Sequence, residues 1–169
     1  RVAIARGIVL EPKFLVADEP VSMLDVSIRA DILNLLKKLR EQMSLTMLYV
    51  SHDLSTIKYL CDRIAVMYLG KIVEIGPVDQ VIGSPSHPYT KALLSAVPVA
   101  DPDFVKERLI ISDEVPDQIN LPQGCRFGTR CPFFTKDCLN CEHTLVERAE
   151  TQLTACIYTP DQWQHKKVD

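Results

Sequence analysis

Two short apolar runs that each stop abruptly on polar chemistry limit what this chain can fold into. Residues 14–19 read FLVADE and residues 48–53 read LYVSHD, so the first run ends on Asp18 and Glu19 and the second on His52, 33 residues after Glu19. Apolar runs of this length, flanked by breaks in the pattern, suit strands. Between them Ile28, Ile32, Leu35, Leu36, Leu39 and Met43 recur at helical spacing behind Asp25, a good N-cap, which predicts an amphipathic helix over about 26–43. Strand, helix, strand is a parallel crossover unit. The expected fold class is therefore α/β, a parallel sheet with flanking helices, doubly wound in style. In an open parallel sheet, ligands bind beyond the carboxyl ends of the strands, so Asp18, Glu19 and His52 are expected at one site.

The acid pair suits a magnesium nucleotide. Magnesium takes hard oxygen ligands and keeps several waters while bound through one or two carboxylates, which fits Asp18. A carboxylate one residue further on can orient or deprotonate a water for in-line attack on a terminal phosphate, which fits Glu19. A purely structural reading competes with this, in which Asp18 and Glu19 start a loop and Glu19-Pro20 breaks the strand.

The surrounding residues favour the first reading. Asp18-Glu19-Pro20 is followed by Val21-Ser22-Met23-Leu24-Asp25, and then, at the right distance, by Ser51-His52-Asp53. This order resembles the Walker B strand, D-loop and histidine loop of ABC-type ATPases, and residues 1–6, RVAIAR, resemble the helix that follows the signature loop of that family. Met23 departs from the family's alanine. By this resemblance Asp18 holds the Mg2+ of Mg-ATP, Glu19 is the general base and His52 contacts the terminal phosphate, while Ser22 and Asp25 belong to the D-loop at the interface of two nucleotide domains. None of the six glycines begins a Gly-x-x-x-x-Gly-Lys-Ser/Thr phosphate loop, so the chain reads as the carboxyl-terminal part of a longer ATPase, and alone it is expected not to hydrolyse ATP. Gly7, where the family commonly has alanine, costs its helix roughly 1 kcal/mol.

Further along, a short helix is expected near 54–61, a hairpin from the β-rich runs 64–69 and 71–75 joined at Gly70, and a helical turn near 79–82. Residues 87–94 read HPYTKALL, locally a helix capped around Tyr89 or Thr90 after a Pro-punctuated loop. That string resembles the extension that follows the nucleotide domain in ATP-binding subunits of oligopeptide, dipeptide and nickel importers. The expected division is a nucleotide-domain part over 1–83 and a cysteine-rich extension over 84–169. For His87, between loop and helix, a surface or packing role outweighs a ligand role.

Composition is that of an ordinary globular chain, 47% hydrophobic and 24% charged with net charge −3, and nothing in it suggests a nucleic-acid binder. The charge balance shifts near Pro98, with 11 basic and 10 acidic residues before it and 8 and 12 from it onward. No uncharged stretch exceeds 11 residues, well short of the roughly 20 apolar residues needed to cross a bilayer.

Five of the six cysteines, Cys125, Cys131, Cys138, Cys141 and Cys156, crowd into the tail. An odd number disfavours a closed disulfide set, whereas four thiolates suit tetrahedral zinc and Cys138-x-x-Cys141 is a common zinc half-site. Thiolate sets also hold iron–sulfur clusters. The spacing across Cys125, Cys131, Cys138 and Cys156 resembles the cysteine motif of the same importer subunits, which implies a [4Fe-4S] cluster on those four. Cys141 is an alternative third ligand, His143 a weaker reserve, and Zn2+ the alternative metal. Cys61 reads as a small buried residue.

Taken together, the resemblance implies an ATP-binding, ATP-hydrolysing subunit that energises import of peptides, peripheral on the cytoplasmic face of the membrane. Its implied partners are transmembrane permease subunits, a second ATP-binding subunit in a homo- or heterodimer and, indirectly, a substrate-binding protein. The distinct alternative is a non-catalytic metal-binding (Fe-S or Zn) interaction fragment.

Overall fold

Alternation of side chains explains the first sheet. A computed structural model describes residues 1–97, 120–142 and 144–165; Pro98 and His143 lie outside them. The chain divides into two compact units, residues 1–62 and 63–169.

In the first unit, α1 (Val2–Ile8) leads to β1 (Phe14–Asp18), α2 (Val26–Gln42), β2 (Thr46–Val50) and α3 (Leu54–Leu60). Strands β1 and β2 are parallel neighbours, with Phe14 opposite Thr46 and Asp18 opposite Val50. Ile32, Leu33 and Leu36 of α2 are buried with Val21 and Leu60, and Met47 and Tyr49 of β2 pack against them. The period of 3.6 on the helix and 2 on the strand thus meet on one face. On the other face Phe14, Val16, Leu48 and Val50 are exposed. The doubly wound arrangement expected from the sequence is accordingly not found among the described residues, since the parallel sheet has two strands and an open face. Cys61, expected to be buried, is half-buried against the core, and burial raises its thiol pKa.

The second unit is built on a separate four-stranded antiparallel sheet, ordered β3-β4-β6-β5, of β3 (Arg63–Tyr68), β4 (Lys71–Pro77), β5 (Val146–Ala149) and β6 (Gln152–Thr154). Strands β3 and β4 form the expected hairpin. Leu69 and Gly70 at its turn both have positive φ, 44° and 74°, the signature of the two-residue turn that matches strand twist. The pairing of β6 with β4, Glu74 opposite Thr154, has no counterpart in the sequence reading. Helices α4 (Val78–Gly83) and α5 (Pro88–Ala96) follow the hairpin. Helix α5 starts with Pro88 in its first turn, and its N-cap is His87, whose Nδ1 accepts from the Tyr89 N–H at 3.1 Å. His87 is only 2% exposed. It packs with Phe127, whose ring also meets those of Tyr68 and Tyr89, so packing rather than surface placement describes this histidine.

Candidate functional site

The strand ends bring Glu19 and His52 together. The Glu19 N–H donates to the Val50 carbonyl at 2.9 Å, carrying the parallel ladder one residue past Asp18. There the backbone turns, with Glu19 at φ 45°, a left-handed conformation that costs a non-glycine residue about 1–2 kcal/mol. Oε1 of Glu19 accepts from the His52 backbone N–H at 3.0 Å and lies 2.7 Å from His52 Nδ1. An ionised carboxylate only accepts, so Nδ1 carries the proton and Nε2 is the ring atom left for other chemistry. His52 is 79% exposed and Glu19 34%, so the pair is open to a ligand.

Asp18 is exposed at the end of β1, on the side of the strand that carries Phe14 and Val16. Its carboxylate is a hard oxygen donor, the type of group that suits a magnesium ion. Ser22 folds the following loop back, its Oγ donating to the Glu19 carbonyl at 3.1 Å and its N–H to the same oxygen at 3.3 Å. Asp25 is the N-cap residue of α2, but its side chain makes no capping hydrogen bond; its exposed carboxylate leaves the cap to the backbone. The sequence reading missed Arg29, which bonds both to the Leu24 carbonyl and to Asp53. The available signal was its position one turn after Asp25, where a long basic side chain reaches back over the loop.

The tail thiols gather around one cavity in the second unit. Cys125, Cys131, Cys138, Cys141 and Cys156 all line it, together with aromatic side chains including Phe133 and Trp163. Burial pushes the Cys125 and Cys131 thiols up to about 12 and raises Cys141 and Cys156 as well, so these four are protonated at neutral pH in the absence of a cation. Cys141 Sγ donates to the Cys138 carbonyl at 3.2 Å. The donor chemistry therefore suits a group held by thiolates, and the four expected ligands share a cavity. Among the described residues, however, no three His, Cys, Asp or Glu side chains are grouped as a metal site requires. Gly124 fits this loop because a Cβ there would lie 2.2 Å from the Cys138 carbonyl oxygen.

The acid and the histidine thus stand at the carboxyl ends of two parallel strands, the edge at which open α/β sheets bind ligands. Residues 73–138 match the family model described as the oligopeptide/dipeptide transporter C-terminal region. The dipeptide transport ATP-binding protein of Haemophilus influenzae is 45% identical over 158 residues, covering 94% of this chain and 48% of that protein. The oligopeptide transport ATP-binding proteins of Escherichia coli and Salmonella typhimurium are each 50% identical over 140 residues, covering 82% of this chain and 42% of each relative. Over most of its own length the chain is similar to these dipeptide and oligopeptide transport ATP-binding proteins. It spans about half the length of the curated relatives it matches. No helix among the described residues is long and apolar enough to cross a membrane.

Proposed function

We propose that the chain is part of an ATP-binding, ATP-hydrolysing subunit that energises an ABC importer of dipeptides or oligopeptides. The observation that carries this reading is the Glu19–His52 contact, which joins the ends of two parallel strands through one carboxylate oxygen. In this reading Asp18 holds Mg2+, which when bound neutralises charge on the phosphates. Glu19 is the general base: a carboxylate has about four acceptor sites, and His52 occupies one oxygen, so the other remains for a water. His52, held by Glu19 at Nδ1, turns Nε2 toward the terminal phosphate, to which it donates only in the form that carries a proton on both ring nitrogens. Ser22 holds the loop after Glu19, and with Asp25 it faces a second ATP-binding subunit across a homo- or heterodimer.

The permease subunits would convert this cycle into transport, with a substrate-binding protein delivering cargo, and the subunit would sit peripherally on the cytoplasmic face of the membrane. The functional division would follow 1–83 and 84–169, although the compact units part at Asp62 and Arg63. In the tail, Cys125, Cys131, Cys138 and Cys156, with Cys141 as the alternative ligand, would hold a [4Fe-4S] cluster or Zn2+. Their shared cavity supports that.

The test is steady-state ATP hydrolysis by the intact subunit assembled with its permeases, comparing wild type with E19Q. Removing a general base is expected to lower kcat by roughly 10²–10⁴-fold while nucleotide binding persists. Unchanged turnover in E19Q would remove Glu19 from the chemistry, and a wild-type assembly that hydrolyses no ATP would end the ATPase reading.

A further inference from the structure

We infer that Arg29 is a positioning residue that couples the loop after Glu19 to the loop that carries His52. This rests on the function proposed above for those two loops, but its geometry is independent of any nucleotide.

Both loops leave the carboxyl ends of neighbouring strands. Residues 19–25 connect β1 to α2, and residues 51–53 connect β2 to α3. The Glu19–His52 contact ties them at one point, where His52 is largely solvent-exposed. Arg29 ties them at a second. Its NH2 group donates to the Leu24 carbonyl at 3.1 Å, and its NH1 group donates to Asp53 Oδ2 at 3.4 Å. Asp53 is itself fixed, because its other oxygen accepts from the Ser55 N–H at 2.9 Å and caps α3. Its own N–H donates to Ser51 Oγ at 3.1 Å, so both neighbours of His52 belong to one hydrogen-bonded turn.

The anchor for this bridge is rigid. The Arg29 N–H donates to the Asp25 carbonyl at 2.9 Å, within the first turn of α2, and the same helix is locked into the core through Ile32, Leu33 and Leu36. The Arg29 and Asp53 side chains are 33% and 30% exposed, so the pair is partly desolvated and less weakened by solvent than a surface ion pair. Only a planar guanidinium offers several donors in a fixed fork; an ammonium is a single point charge. The bridge therefore needs arginine in order to hold Leu24 and Asp53 at once. A shift of the D-loop residues 22–25 would pull on Leu24, and through Arg29 on the residue next to His52.

The experiment compares wild type, R29M, R29K, D53N and R29M/D53N in the intact transporter. Asparagine keeps the α3 cap, so D53N removes the charge and spares the helix. R29M is expected to lower kcat about tenfold with KM for Mg-ATP nearly unchanged, as misplacement of a reacting group by about 1 Å can cost up to 10²-fold. R29K should recover part of the loss, and the double variant should be no slower than the slower single variant, since both changes cut the same link. Hydrogen exchange on the same proteins gives a readout free of catalysis: in R29M, amides of 20–25 and of 51–55 should both exchange faster, while 30–42 stay protected. Unchanged exchange in 51–55 overturns the coupling whether or not the protein hydrolyses ATP. So does strictly additive loss in the double variant. Absent hydrolysis in wild type, with exchange behaving as expected, would count against the ATPase reading and for the bridge.

Discussion

Glu19 does three things at once. Its N–H extends the β1–β2 ladder, its backbone sits at φ 45°, and its carboxylate holds both the amide and the ring of His52. Strain at such a residue persists only where neighbours over-determine it, and here the ladder bond and the Ser22 bonds do so. These residues were legible in the sequence because an apolar run that ends in Asp-Glu, followed by one that ends in Ser-His-Asp, marks two strand ends. Arg29 was only partly legible: its place one turn after Asp25 hints at a reach back over the loop to Leu24, but its other partner, Asp53, lies 24 residues away and leaves no local signal. Gly124 provides a prediction at this scale. It has φ 71°, and a Cβ would fall 2.2 Å from the Cys138 carbonyl oxygen and 2.5 Å from that of Leu139. Because those neighbours are backbone atoms, G124A is expected to destabilise the second unit by roughly 2–4 kcal/mol, read by urea unfolding followed through the single tryptophan, Trp163. A loss below about 0.5 kcal/mol, the range of ordinary surface changes, would show that the loop can move away.

Among the elements, β4 has the most instructive neighbour. Glu74 on it is fully buried and accepts from the Ser86 N–H at 2.7 Å, the His87 N–H at 3.1 Å and Gln152 Nε2 at 2.8 Å. It thereby fastens the start of α5 and strand β6 to the hairpin. Burial raises its pKa above the ordinary carboxylate value, against the opposing pull of these hydrogen bonds. A carboxyl whose folded pKa is raised contributes stability that is fully present below its unfolded pKa and is lost as pH rises through the folded value. Relative to E74Q, wild type is thus expected to lose stability as pH rises from about 4 through the raised pKa, in urea midpoints taken at matched pH. A wild type that instead gains on E74Q over that range would mean that the hydrogen bonds outweigh burial. The hairpin and helices α2, α3 and α4 were readable from periodicity and from Gly70. Strands β5 and β6 were not, because VERA and QLT are short and half polar, and the pairing of Glu74 with Thr154 spans 80 residues. Long-range pairing of that kind leaves no local pattern.

For the molecule as a whole, the two units carry different chemistry, oxygen and imidazole at the strand ends of the first and thiols in the cavity of the second. The sequence placed five thiols together by spacing alone, and the fold does bring them to one cavity. Spacing says nothing of side-chain rotation, and the ligand grouping expected from it is not present among the described residues. The whole protein, purified without oxygen, is the object on which this is decided. If the thiols hold a [4Fe-4S] cluster, iron and acid-labile sulfide should each approach four per chain, with thiol protons released on loading because metal ligands must be deprotonated. One zinc per chain without sulfide would replace the cluster by a zinc site, and neither metal would leave the cavity a purely structural one.

The thiol cavity also has an order of assembly written into it. Trp163, 3% exposed, stacks on Phe133 at 5.6 Å and lines the same cavity as Cys125. On a ribosome the first four tail cysteines therefore emerge before the tryptophan that completes the lining of their cavity, and at the usual pace of roughly 5–20 residues per second they spend some seconds without it. Any protection of the thiols in that interval has to act on the nascent chain, before Trp163 has joined the cavity.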